Sequence, residues 1–440
     1  MMQQSQSEAD SVMQAHAAHF AKQIYEIDDD IHLAVGFAAS NVAMIEADEG
    51  LIIVDTTEST AAATNILAEF RKISDKPIIA IIYTHSHRDH ISGASVFAAN
   101  GTPDIYASPE FASDLIEDAN GGGMPQASLM ARTKAQFGIG LPEDERLHLG
   151  LGPGDRPLGG LGAGFLSPTK AFAAGETQLT IGGFTMTVFP APGETPDHYN
   201  IWLEDRKILF CGDNFYHAFP NLYAVRGTPY RDFQSWADTL TKLAGRRAEI
   251  LVPGHSQPVF GQAEIEHRLT TTSAAIQAAI QTAFDGMNAG LDFETIAARA
   301  VMPTELADLP WLVEHYGSFA YAVRACCVGL MGWYSGVVDE LVIRDPVDRA
   351  RDWVALIGGI QAIPEHIATA ELAGKYDLVL ELTAMALAVM GDAEGDAHDT
   401  VLAARRRALR HIAAHMINAP VRNSLFTAAQ AIQTDGGNEQ

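Results

Sequence analysis

The sequence predicts an α/β protein in which helices sandwich β-sheets over residues 24–265, followed by an all-α second domain over 266–440. Three observations carry that prediction. Between Ile24 and Val259, short β-rich runs alternate with helical patterns and Gly/Pro punctuation. From Glu264 onward strand signals nearly vanish and Ala-rich helical patterns take over. Finally, 440 residues exceed what one ordinary hydrophobic core holds.

Taken in order, residues 1–23 form an N-terminal extension whose polar start, Met1 to Asp10, is expected to fray, as is Thr434 to Gln440 at the other end. Strands are expected at Ile31 to Val35, Val42 to Glu46, Leu51 to Val54 and Ile78 to Tyr83, then at Phe184 to Phe189, Tyr199 to Leu203, Ile208 to Cys211 and Ile250 to Val252. Helices are expected at Ser59 to Ile73 and at Phe233 to Leu243, the latter behind Asp232 as N-cap. A Gly/Pro-rich insertion over 121–174 is too long for an ordinary connection and reads either as a surface excursion or as a cover for the substrate. In the second domain, apolar spacing predicts helices over Ser273 to Phe284, Tyr316 to Met331, Ala350 to Ile360 and Val401 to His415.

Charge narrows the partners. Twenty-nine Lys and Arg against 55 Asp and Glu leave a formal net charge of -26, which opposes nucleic acid and anionic membrane surfaces. A small anionic substrate would need local cations or a metal to overcome that field. The cysteines are Cys211, Cys326 and Cys327; an odd number in a long chain argues against a disulfide framework and for a reduced compartment. Residues 1–20 have no basic stretch followed by a continuous apolar run, and no segment has the length of a membrane span. A cytoplasmic protein without membrane contact is expected.

The apolar run Ile81-Ile82-Tyr83 leads directly into His85-Ser86-His87-Arg88-Asp89-His90. A strand end is a rigid anchor, and three imidazoles with a carboxylate within six residues suit zinc far better than they suit a packed core. Two ions a few ångströms apart would need this many ligands, converging from neighbouring loops.

This HxHxDH run resembles the metallo-β-lactamase superfamily. The resemblance implies an αββα sandwich, two Zn2+ ions, and further ligands in a Pro-Gly-His-Thr run, a Gly-Asp run and a Pro-Gly-His run. The chain supplies Pro192-Gly193-Glu194-Thr195, Gly212-Asp213 and Pro253-Gly254-His255, in that order. The implied metal ligands are therefore His85, His87, Asp89, His90, Glu194, Asp213 and His255. Glu194 departs from the superfamily's His, and an oxygen donor there makes the site more negative.

That Glu, with Asn221-Leu222-Tyr223-Ala224-Val225-Arg226-Gly227 and the following Arg231, is similar to the alkyl sulfatase family. The resemblance implies hydrolysis of alkyl sulfate esters, with Asn221 and Arg226, joined by Arg231, holding the anionic head. A sulfate monoester offers only acceptor oxygens, so amide and guanidinium donors suit it. Tyr316-Gly317-Ser318 and Gly332-Trp333-Tyr334-Ser335-Gly336 are similar to that family's helical dimerisation domain, which implies a homodimer. The sterol-carrier-protein-like domain of longer members has no counterpart here.

Two departures bear on mechanism. Asp213 is shorter than the family's bridging Glu. Tyr321 stands where the family has a His that protonates the leaving alkoxide, and phenol is a weaker acid near neutrality than imidazolium. Asp89 and Tyr321 are taken as the catalytic residues, with His198, His217 and His315 as other proton donors. The competing readings are hydrolysis of another ester, lactone, lactam or phosphoester, and a diiron oxidoreductase, which His87 disfavours. Cys211 and the Cys326–Cys327 pair read as buried packing.

Overall fold

The computed structural model describes residues 8–112, 125–391 and 395–432 of the chain. Thirteen strands form two sheets. The first runs in simple order through β1 (Gln23–Asp28), β2 (Ile31–Val35), β3 (Val42–Glu46), β4 (Leu51–Val54), β5 (Ile78–Ile82), β6 (Asp104–Ala107) and β7 (Lys170–Ala171). The second, in the order β13-β12-β11-β10-β9-β8, contains β8 (Thr177–Ile181), β9 (Phe184–Pro190), β10 (Tyr199–Leu203), β11 (Ile208–Gly212), β12 (Ile250–Pro253) and β13 (Val259–Phe260).

The continuous apolar runs are explained by burial on both faces. In β4, Ile52 and Val54 enter the core between the sheets, while Leu51 and Ile53 pack beneath the helix Thr60–Phe70. In β11, Ile208 and Phe210 face the other sheet, while Leu209 and Cys211 pack with Trp236 and Leu240 of the helix Phe233–Gly245. The result is helix, sheet, sheet, helix. Pairing is parallel between β4 and β5 and between β11 and β12, which brings the carboxyl ends of neighbouring strands to a common edge, where ligands gather in such sheets.

Three differences from the sequence reading have physical causes. The boundary at 265 falls on no break in packing. One core contains Leu251 and Trp236 on one side of it and Ile276, Ala279, Val323 and Cys327 on the other, and the helix Gln262–Asn288 crosses it. The expected helix at Tyr316 begins only at Phe319 and that at Ala350 begins already at Pro346, behind the N-cap Asp345. The start does not fray as far as expected either: Glu8–His16 is a helix with Met13 fully buried, and Asp10 pairs with Arg422 at 2.7 Å. Residues 1–7 and Thr434 to Gln440 lie outside the described residues, as do 113–124, which include the start of the insertion.

Among the described residues, the distal helices Pro346–Leu356, Ile363–Leu372, Tyr376–Met390 and Asp396–Ala414 build a core of their own. No helix among the described residues is long and apolar enough to cross a membrane.

Candidate metal centre

Every expected ligand comes from the loop at a strand's carboxyl end. Chain reversal after β5 delivers His85 and His87, and the short helix Arg88–Ile91 then places Asp89 and His90. Glu194 sits between β9 and β10, Asp213 follows β11 and His255 follows β12. These seven fall into three overlapping groups: His85, His90 and Asp213; Asp89, His90 and His255; and His87, Glu194 and Asp213. Within each, the donor atoms lie within 4.8 Å of one another. Gly254 is required here, because a Cβ would stand 2.4 Å from Asp213 Oδ1.

The orientation of the imidazoles is fixed from behind. His255 Nδ1 lies 2.7 Å from the Ala39 carbonyl and His90 Nδ1 lies 2.8 Å from Asp55 Oδ2. Both Nδ1 nitrogens therefore donate outwards, which leaves both Nε2 atoms facing the cluster as potential metal donors. The two Nε2 atoms lie 3.3 Å apart, with Asp213 oxygens 3.2 Å from His90 and 3.1 Å from His255. Such a set is held together either by protons on the imidazoles or by a cation between its members. His85 Nε2, Glu194 Oε2 and Asp213 Oδ1 are buried with no hydrogen-bond partner, so the residues fit bound metal ions.

The carboxylates dominate the electrostatics. Burial alone would lower His90, yet Asp213, Asp55 and Asp89 hold its imidazole well above the usual range, and Asp213 raises His255 against its burial. Burial would raise Asp213, but His255, His90 and His85 hold it well below the carboxylate range. Burial lifts Glu194 to about 7, with Asp213 and Asp89 adding to the effect of desolvation that Arg231 opposes.

The anion-binding candidates divide. Asn221 is buried and its Nδ2 has no acceptor. Burial and Arg231 lower the Arg226 guanidinium, against the opposing pull of Tyr316, Asp89 and Glu194. Its Nη1 reaches only the Gly227 carbonyl, at 3.1 Å. Arg231 is committed elsewhere: Nη1 pairs with Glu194 Oε1 at 2.8 Å and with the Asn221 carbonyl. It braces a candidate ligand and the anion loop together.

Tyr321 is not brought to the cluster. It is 45% exposed on the helix Phe319–Met331, and the charge that raises it after burial is Glu314. Two buried phenols are closer to the cluster: the Tyr216 ring lies 6.1 Å from that of His255 and 5.6 Å from that of Tyr316, and both are raised by desolvation together with Glu194. The three histidines considered as other donors are also uncharged near neutrality. Burial lowers His198 to about 4, and its Nε2 accepts from the Asp213 N–H. His217, at about 3, and His315, at about 4, belong to a separate cluster near the N-terminal helix.

Sequence reasoning passed over Asp55, which accepts from the Thr84 N–H and Oγ1–H at 2.8 and 2.9 Å as well as holding His90. It adopts a left-handed φ of 59°, a strained conformation typical of sites held by many partners. An acid directly after a fully apolar strand beside the ligand strand is the signal that could have found it.

Two sheets in this αββα order, with a His/Asp/Glu ring at their common edge, define a protein of the metallo-β-lactamase type. The chain belongs to the alkyl sulfatase family of that superfamily, on matches to the sequence profiles described as Metallo-beta-lactamase superfamily over 35–255 and Alkyl sulfatase dimerisation over 293–435. A linear primary-alkylsulfatase of Pseudomonas sp. (strain ATCC 19151) is 34% identical over 400 residues, covering 89% of this chain and 73% of that protein. An (R)-specific secondary-alkylsulfatase of Pseudomonas sp is 27% identical over 369 residues, covering 82% of this chain but only 55% of that protein. The solved structure of the stereoselective inverting sec-alkylsulfatase Pisa1 from Pseudomonas sp. has the same fold, with a TM-score of 0.86 at 24% identity over 98% of this chain and 69% of that one.

Proposed function

We propose that the chain is a zinc-dependent hydrolase that cleaves alkyl sulfate esters to alcohol and sulfate. In this reading His85, His87 and Glu194 would hold one ion and Asp89, His90 and His255 the other, with Asp213 available to both. Two zinc ions bound there supply Lewis acidity and lower the pKa of water towards neutrality.

The chain's own residues supply the rest. Asn221 Nδ2 and the Arg226 guanidinium donate to the acceptor-only sulfate head, and Arg231 keeps Glu194 and the Asn221 backbone in register. In this reading Tyr316 takes the place proposed for Tyr321, because it is buried and feels Glu194 and Asp89. The observation that carries the reading is that, among the described residues, the buried amide donor of Asn221 has no partner and Arg226, in the same loop, makes no salt bridge. A homodimer formed through the helical region fits the apolar side chains left exposed there, including Trp333 at 72% and Ile343 at 95%. Three unbridged, buried cysteines fit a cytoplasmic location.

The test is turnover of the zinc-loaded protein on short and long alkyl sulfates beside carboxylic and phosphate esters, repeated with Arg226→Ala. Loss of a charged hydrogen bond is expected to cost roughly 10- to 100-fold in kcat/KM on sulfate esters. Equal activity of variant and wild type on those esters would overturn the anion assignment, and turnover of uncharged esters alone would overturn the substrate class.

A further inference from the structure

The loop between β2 and β3 brackets half of the candidate metal cage. Ser40 Oγ donates to the Asp89 carbonyl. Asn41 Nδ2 donates to the carbonyls of Pro253 at 2.9 Å and Ser256 at 2.7 Å, and its N–H donates to Gly254. The Ala39 carbonyl receives His255 Nδ1. Ala38, Ala39 and Ser40 are small residues with little packing surface, so the position of the loop is set by what grips it.

That grip comes from far away in the chain. The Ala39 N–H donates to Glu58 Oε1 at 2.9 Å, and the same oxygen receives Arg156 Nε at 2.7 Å. Arg156 lies in the Gly/Pro-rich insertion, and both side chains of the pair are buried, at 1% and 8% exposure. The insertion is held on by Ser59 Oγ donating to the Pro157 carbonyl and by the Gly162 N–H donating to that of Glu58. Gly152 packs its backbone directly on Ala39, where a Cβ would stand 2.5 Å from the Ala39 oxygen. Without Arg156, Glu58 would be an uncompensated buried carboxylate, which is driven to move or to neutralise itself.

We infer that the buried Arg156–Glu58 pair is a positioning device for His255, holding the Ala39 carbonyl that orients this imidazole, and that the insertion is a structural part of the metal cage. The inference rests on the reading of His255 as a metal ligand. A hydrogen-bonded partner behind a ligating imidazole fixes its tautomer and direction, and its loss typically weakens metal binding about 10- to 100-fold.

The experiment measures metal per chain, chelator-competed zinc affinity and the cobalt-substituted absorption spectrum of wild type, Arg156→Ala and Glu58→Gln, with the melting temperature of each metal-free form. Arg156→Ala is expected to weaken one of two ions about 10- to 100-fold and to alter the cobalt bands. Glu58→Gln, which keeps an acceptor for the Ala39 N–H, is expected to stay within about threefold of wild type, because the ligand's partner survives. If Arg156→Ala fails to fold, Arg156→Lys is read in the same way, with a smaller expected loss. Wild-type affinities and spectrum in a folded Arg156→Ala or Arg156→Lys would overturn the inference while leaving the metal reading intact. A wild type that binds no metal would overturn both.

Discussion

Among the described residues are two clusters of five histidines each, and they differ in the charges that surround them. At the strand ends, His85, His87, His90, His198 and His255 meet Asp55, Asp89, Glu194 and Asp213. Behind the N-terminal helix, His16, His19, His148, His217 and His315 pack ring against ring, His16 stacked on His315 at 3.8 Å, His19 stacked on His217 and His148 edge-on to His16. The charges that act on this second group are those of other imidazoles and of Arg268 and Arg422. In the first cluster acids pull His90 and His255 up; in the second every member is pushed down by burial. Imidazoles alone make a packed core, and the interleaved carboxylates are what turn such a cluster towards a cation.

The sharpest way to break that contrast is to remove the acid shared by the first cluster. Asp213→Ala is expected to lower metal content from two ions per chain and to cut turnover by more than the roughly 100-fold that loss of a mere outer partner costs. Retention of both ions, measured by elemental analysis after dialysis, would show that the carboxylate is not what distinguishes the clusters.

A smaller effect tests the second cluster. Unfolded, each of its imidazoles binds a proton below about 6.5. Folded, His148 and His217 resist protonation until about 3 and His315 until about 4. The unfolded chain therefore takes up more protons as pH falls from 6.5 towards 4, and stability drops through that window, by an amount on the order of a few kcal/mol. Calorimetric melting of the metal-free protein across this range checks the slope, which should flatten in His315→Phe; a flat wild-type curve would refute the account.

The smallest expected effect separates the two phenols. Tyr316→Phe removes a hydroxyl from the site and should cost about fivefold in kcat/KM, as one hydrogen bond does. Tyr321→Phe, on an exposed helix face, should change it less than about twofold. The reverse order would return Tyr321 to the site.

The residues that carry chemistry were the most legible. His85 to His90, Glu194, Asp213 and His255 stand in runs whose order survives in the sequence, and the strands that present them are apolar on both faces. Their supports were not legible. Asp55, Glu58 and Arg156 belong to no motif, and the Ala39 partner of His255 is a backbone carbonyl that any residue could offer. Tyr321 was misplaced because its position in a run says nothing about which side of the helix Phe319–Met331 it occupies. Helical spacing likewise predicts a helix over Ser273 to Phe284, but not that it extends over Gln262–Asn288 or that it packs into the core of the sheets.

That helix has a consequence for how the chain can be divided. Because Ile276 and Ala279 close over Trp236 and Leu251 in one continuous core, cutting this chain at 265 would uncover apolar surface on the catalytic sandwich. The natural seam is within the helical region, between the helices that roof the catalytic sandwich and those that fold around one another.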